Sequence, residues 1–452
     1  MPSNNDDTPH ESARRWAARM LIEPAERFPH LHPPRLDNTG LSPADAALGL
    51  AIYRTTLQRW LTLEYILDKF LQARLRKLDP MVQAVLLSGA AQLLFMDRLP
   101  GYAVVDQAVG IARGMGARRA AGMTNAVLRK VAGLVGPSEI ERDDQLDRST
   151  LPRQGGGKLH LKQPVLPPVE QAEWHLSIAA SIPRPLLRSW VERYGMEQAT
   201  AIAMQSIENP PTIVAVEPGF EAAGQLNHMR PHNQPGFYIW SGPNEAMRGF
   251  LQGHPIRRVQ DPAASLAVES TRDLSPRSVL DYCAGRGTKT RQLALAHADA
   301  TVFATDVDRS RLHDLTEALA DFPNACVISP DQAGDRRYDL ILLDVPCSNT
   351  GVLARRPEAR YRYSQHSLGE LVQLQRSIVD RVVEWIDPTG GHLLYSTCSI
   401  ERPENRKQVD RLVRRSPGGC SAAIVHEHQQ LPGGTGDSYA DGSYHALVRF
   451  TP

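Results

Sequence analysis

Between residues 278 and 396 the chain alternates short apolar runs with helix-periodic stretches, and no other feature restricts its fold as much. The runs cover 278–281, 301–306, 338–344 and 391–396. One helix is expected from Thr288 and another over 309–320. Leu368, Leu371, Leu374, Ile378, Val382 and Ile386 mark one face of a third. This alternation predicts a doubly wound α/β sheet with buried parallel strands. Such sheets bind ligands beyond the carboxyl ends of their strands. Three segments of chemical character fall there: 281–290, 344–352 and 395–400.

The preceding sequence has a different period. Leu57, Leu61, Tyr65, Ile66 and Phe70 recur mostly at four-residue spacing, and Asp79-Pro80 opens a helix that buries Val82, Val85, Leu86, Ala90 and Leu93. Further helices are expected after Pro100-Gly101 and over 124–131, giving an all-α bundle. Residues 137–168 combine a charged stretch with Gly155-Gly156-Gly157 set among Pro152, Pro164, Pro167 and Pro168, and read as a flexible linker. A helix over 183–207 and a strand over 212–216 then suggest a small α+β segment. The expected domains are therefore 10–136, 137–168 as linker, 169–258 and 259–452.

At 452 residues one core is too few. No apolar run approaches the roughly 20 residues of a membrane span, and residues 1–7 lack the order of a secretory signal. Five cysteines, four within 283–398, form no disulfide framework, so a reducing cytoplasm with free thiols is expected. No closely spaced ligand pairs accompany them, and no zinc is expected. Residues 1–140 carry 17 Lys/Arg against 13 Asp/Glu, with no acid between Gln107 and Ser138. That excess suits phosphate contacts or an ordinary solvated face equally well.

The glycine turn Gly285-Arg286-Gly287, between a strand end and a helix, lets backbone approach a ligand closely. Asp306 ends the next strand, where a carboxylate accepts ribose hydroxyls, while Asp308 reads as solvent-facing or a helix cap. No phosphate-loop pattern is present, which points to a nucleoside. Cys347 and Cys398 in neighbouring strand-end loops add thiolate chemistry beside it.

Asp281-Tyr282-Cys283-Ala284-Gly285-Arg286-Gly287-Thr288-Lys289-Thr290 resembles motif I of the RNA (cytosine-5) methyltransferases of the Sun/NOL/NOP family. Asp344-Val345-Pro346-Cys347-Ser348-Asn349-Thr350-Gly351 and Tyr395-Ser396-Thr397-Cys398-Ser399, with Glu404-Asn405, resemble that family's two cysteine motifs. Residues 93–100 and 125–129 resemble the NusB antitermination domain. The whole then looks like a NusB-like bundle, a small α+β segment and a Rossmann-like class I methyltransferase domain. That is the architecture of the Sun-type 16S ribosomal RNA methyltransferases.

The resemblance implies S-adenosylmethionine as methyl donor, held by Cys283, Ala284, Gly285, Arg286, Gly287, Thr288, Lys289, Asp306, Asp331 and Asp344. It implies that Cys398 attacks carbon 6 of a cytosine and Cys347 assists release. Asp344 would hold the base edge and Lys289 would support the thiolate. Cys326 and Cys420 are expected to be inert. Ribosomal RNA is the implied partner, before or during small-subunit assembly, and a cytoplasmic monomer is expected. Apart from the resemblance, Arg355, Arg356, Arg360 and Arg362 follow the Cys347 loop and read either as a grip on the RNA backbone or as a solvated basic loop.

The chain departs from the family pattern at Arg286, which replaces a proline, and at Thr288, which replaces a glycine. It also departs at 260–265 and at Asp441-Gly442-Ser443-Tyr444-His445. The alternative is a catalytically weakened RNA-binding protein with an altered cofactor loop.

Overall fold

The computed structural model describes residues 11–33, 36–96, 99–136, 147–217, 219–220, 228–415 and 420–452. The chain divides into two units, residues 1–209 with 353–363, and residues 210–352 with 364–452. The readings made on residues 1–7, on Asp97 and Arg98, and on 137–146 lie outside the described residues.

The first unit opens with α1 (Ala13–Met20), α2 (Ile22–Arg27), α3 (Pro43–Gln58) and α4 (Trp60–Asp68). These are followed by α5 (Pro80–Phe95), α6 (Gly101–Gly114) and α7 (Ala121–Leu134). The Asp79 side chain accepts from Met81 N and Pro80 fills the first turn, so α5 starts where the sequence places it. Almost every face of α5 is apolar and buried, which makes it the central helix of the bundle. Trp16, Leu63, Leu86 and Leu128 share its core.

The stretch expected to be a flexible linker is ordered from residue 147 onward. β1 (Thr150–Pro152) and β2 (Lys158–His160) form an antiparallel hairpin with Leu151 opposite Leu159. Leu151, Leu159, Leu161, Val165 and Leu166 all join the bundle core. The glycines make the hairpin turn, Gly155 and Gly156 taking positive φ. Two further helices, α8 (Ala172–Ala179) and α9 (Arg184–Gln205), complete this part of the unit.

The second unit starts with β3 (Thr212–Ala215), β4 (Met229–Pro231), β5 (Phe237–Trp240), α10 (Asn244–Leu251) and β6 (Arg258–Val259). The four strands form a sheet in the order β4-β5-β3-β6. The segment expected as one piece over 169–258 is thus divided, with α8 and α9 in the first unit and the sheet and α10 in the second. Next come α11 (Pro262–Glu269), β7 (Ser278–Asp281), α12 (Thr288–Ala296), β8 (Thr301–Ala304), α13 (Arg309–Ala318), β9 (Ala325–Val327) and β10 (Leu340–Asp344). The chain continues through α14 (Ala359–Arg362), α15 (Gln365–Val382), β11 (His392–Thr397), α16 (Arg406–Arg415), β12 (Ser421–Gln430) and β13 (Ser443–Thr451).

The main sheet runs β12-β13-β11-β10-β7-β8-β9. Strands β7 to β11 are parallel, as expected, while β13 and β12 add an antiparallel edge. Val379, Val382, Val409 and Leu412 cover one face and Val268, Leu293 and Leu315 the other. The register sets Asp344 beside Ser396 and Leu342 beside Asp281. Asp281, Asp344 and Thr397 therefore all end at one carboxyl edge.

Within the arginine cluster, Arg360 differs from its expected role. α14 belongs to the first unit, and Arg360 is completely buried there. Its Nη1 donates to the carbonyls of Gln58, Ala180 and Ser181, and its Nη2 to those of Ser206 and Leu353. Gln58, Ala180 and Ser206 lie at the C-terminal ends of α3, α8 and α9, where unpaired carbonyls carry partial negative charge. Arg360 caps three helices and grips no RNA.

Candidate active site

The first loop follows β7. Positive φ occurs at Gly285 (58°) and Gly287 (81°), and a Cβ built on Gly285 would meet nothing within 4 Å. Backbone is therefore open to a ligand at this turn. Thr288 is the first residue of α12, so the family's glycine at that position is not required for the helix to start. The Arg286 side chain is 81% exposed and pairs with Asp314 at 3.3 Å. Cys283 is half-buried as a residue, and burial pushes its thiol upward, which suits a backbone role. Ala284 N donates to Thr305 O and its own carbonyl accepts from Gly287 N, closing the turn.

Asp306 is buried just beyond β8. Its Oδ2 accepts from Gly285 N at 3.0 Å and its Oδ1 from Asp308 N at 2.9 Å, with Arg311 at 3.5 Å. Among the described residues, Oδ1 keeps a second lone pair for a hydroxyl. Asp308 caps α13, accepting from Ser310 N, as the sequence suggested. Asp331 is exposed in the 3-10 turn Pro330–Asp335 after β9. Asp281 is buried, with Oδ2 accepting from Thr290 Oγ1 at 2.7 Å and Oδ1 without a partner among the described residues. Burial, opposed by the Thr290 hydrogen bond, raises it to about 7. An orphaned carboxylate oxygen and an open glycine backbone suit a ligand that brings donors and positive charge.

Lys289, one residue into α12, pairs with Asp344 at the end of β10, Nζ to Oδ2 2.6 Å. Burial works against its charge, but the Asp344 carboxylate outweighs that and the net direction is upward. The two remaining loops meet at the thiols: Cys347 Sγ lies 3.2 Å from Cys398 Sγ. The hydrogen bond to Cys398, then burial, then the Cys398 and Glu404 charges hold the Cys347 thiol well above its ordinary range.

Several residues not singled out individually in the sequence hold this pair. Asn349 takes φ 60°, accepts from Cys398 Sγ at 3.2 Å through Oδ1 and donates to Cys347 O at 2.9 Å. Asparagine tolerates that backbone better than most side chains, which is the signal the sequence offered. Gly351 N donates to Cys398 O at 3.0 Å, and a Cβ at Gly351 would lie 2.5 Å from Gly442 O. His445, opposite Ser396 on β13, is buried with both ring nitrogens unpartnered among the described residues. Burial, His426, His428 and Lys289 together lower it to about 3.

Comparison with known proteins agrees with both units. Residues 272–446 match the family model for the 16S rRNA methyltransferase RsmB/F, and residues 11–133 match the NusB family. A Cronobacter sakazakii protein named ribosomal RNA small subunit methyltransferase B is 26% identical over 444 residues, covering 96% of each chain. A Vibrio cholerae protein of the same name is 29% identical over 429 residues, covering 90% of each. The crystal structure of PH0851 has the same fold, with TM-score 0.70, 19% identity and coverage of 96% of this chain and 98% of that one. A methyltransferase homolog from Pyrococcus horikoshii aligns with TM-score 0.50 and 19% identity, covering 62% of this chain and 98% of that chain.

Fold and strand-end loops together define a Rossmann-like methyltransferase domain preceded by a helical NusB-type domain. Residues 272–446 belong to the RsmB/F methyltransferase family and residues 11–133 to the NusB family.

Proposed function

We propose that this chain methylates carbon 5 of a cytosine in small-subunit (16S) ribosomal RNA, using S-adenosylmethionine, through a covalent adduct between Cys398 and carbon 6. The observation that carries the reading is the pair of thiols 3.2 Å apart on two strand-end loops. The Lys289–Asp344 ion pair extends the same edge. The relatives' names supply the ribosomal RNA. The expected cellular location is the cytoplasm; among the described residues no helix is long and apolar enough to cross a membrane.

The donor would be held by the backbone of 283–288, by Asp306 and Asp281, and by Asp331 and Asp344 at the same edge. When bound it supplies an electrophilic methyl group. Carbon 5 of cytosine is a weak nucleophile, and addition of the Cys398 thiolate at carbon 6 activates it. Asp344 hydrogen-bonds the base edge near N3, and Lys289 stabilises negative charge beside it. After methylation a water takes the carbon-5 proton, the carbon–sulfur bond breaks, Cys398 leaves as its thiolate and the ring regains aromaticity. Cys347, held protonated beside Cys398, assists that departure directly or through a water. The target cytosine must be unstacked to reach these groups.

The test is incubation of purified protein with S-adenosylmethionine and 16S RNA, followed by nucleoside mass spectrometry. The expected product is 5-methylcytosine at stoichiometric yield. Methylation at another atom, or none, would overturn the reading.

A further inference from the structure

Glu404 follows Cys398 by six residues and is completely buried, and the reaction above gives it no task. Its carboxylate receives four hydrogen bonds. Oε1 accepts from Ser348 N at 2.8 Å and Gln375 Nε2 at 3.0 Å. Oε2 accepts from Ser399 Oγ at 2.5 Å and from Ser348 Oγ. Ser348 directly follows Cys347, and Ser399 directly follows Cys398. One carboxylate therefore fastens the neighbours of both thiols.

The anchor is itself fixed. Tyr395 OH donates to Glu404 O at 2.6 Å, tying the backbone to β11. Gln375 Nε2 also donates to Pro346 O at 2.9 Å, so α15 braces the Cys347 loop from the other side. Burying a carboxylate is costly unless its lone pairs are filled, and here all four positions are used. An apolar side chain of similar size would fill the space without the ties.

We propose that Glu404 is the positioning residue of the thiol pair, setting the spacing of Cys347 and Cys398 by clamping Ser348 and Ser399 to one carboxylate. The significance of that spacing rests on the reaction proposed above. Electrostatics act in the same sense. Behind the hydrogen bond to Cys398 and burial, the Glu404 charge also raises the Cys347 thiol and keeps its proton in place beside Cys398. Burial pushes Glu404 itself upward, and the Ser348 and Ser399 donors oppose that.

The test uses the full chain with Glu404→Gln, which keeps volume and removes charge. Turnover should fall on the order of 10²-fold while KM for both substrates stays within about threefold. Without substrate, alkylation of Cys347 by iodoacetamide, read on its peptide by mass spectrometry, should shift to lower pH. Glu404→Asp should restore part of the turnover. Ser348→Ala and Ser399→Ala should each slow turnover, and the double variant should lose less than the product of the two. Parental turnover together with a superimposable alkylation profile in Glu404→Gln would overturn the proposal. If that variant does not fold, serine variants with parental alkylation profiles would overturn it instead. Alkylation needs neither RNA nor methyl donor, so an inactive parent chain would refute the methylation reading and leave this test intact.

Discussion

The loop after β7 and the paired loops after β10 and β11 solve different problems at one sheet edge. The first has its backbone requirement concentrated at Gly285 and Gly287, and its Arg286 side chain points outward to pair with Asp314. The paired loops are tied together at nearly every residue, through Glu404, Asn349, Asn405, Thr350 and Gly351. An open ligand-facing turn accepts substitution wherever φ is ordinary. A clamped pair of cysteine-bearing loops does not. That contrast explains how the chain departs from the family at Arg286 and Thr288 yet keeps both cysteine motifs intact.

Four substitutions probe this contrast. Cys398→Ala should lower methyl transfer by about 10⁴-fold or more, and retained turnover would remove the nucleophile assignment. Gly351→Ala would place a Cβ against the Gly442 and Cys398 carbonyls. Turnover should fall about 10²-fold and stability by about 1–3 kcal/mol in denaturant melts.

Asp281→Asn tests the first loop through pH. Burial raises Asp281 to about 7, with Asp344 and Asp306 acting in the same sense and Thr290 and Lys289 opposing. The folded chain holds that proton more tightly than the unfolded one. The group's stabilisation is therefore full below about pH 4 and is lost as pH rises towards about 7. Relative to the parent, the Asn variant should gain on the order of 1–3 kcal/mol between pH 5 and pH 8, measured by unfolding at both values. Thr288→Gly should be the mildest, changing methyl-donor affinity by calorimetry no more than about twofold. A large gain there would mean that the family glycine matters in this loop after all.

Much of the fold was legible because its periods are strong. The strands β7, β8, β10 and β11 are apolar runs, and α5 announces itself with Asp79-Pro80. The edge strand β12 was not, because one side faces outward and His426, Glu427, His428, Gln429 and Gln430 break the alternation. The hairpin at 150–160 was hidden by its glycines, and its buried Leu151 and Leu159 are too few to set a pattern. Arg360 misled for a related reason: a guanidinium capping helix carbonyls reads in sequence like one awaiting phosphate. At the site the cysteines and the Lys289–Asp344 pair carried recognisable motifs. The Glu404 clamp depends on donors from three separate elements that only the fold assembles.

The division of labour between the two thiols is tested most directly by trapping. Cys347→Ala, incubated with 16S RNA and S-adenosylmethionine, should accumulate a denaturation-resistant one-to-one protein–RNA complex. Peptide mass spectrometry should place the link at Cys398. Normal turnover without any trapped complex, or a link at another residue, would contradict the account.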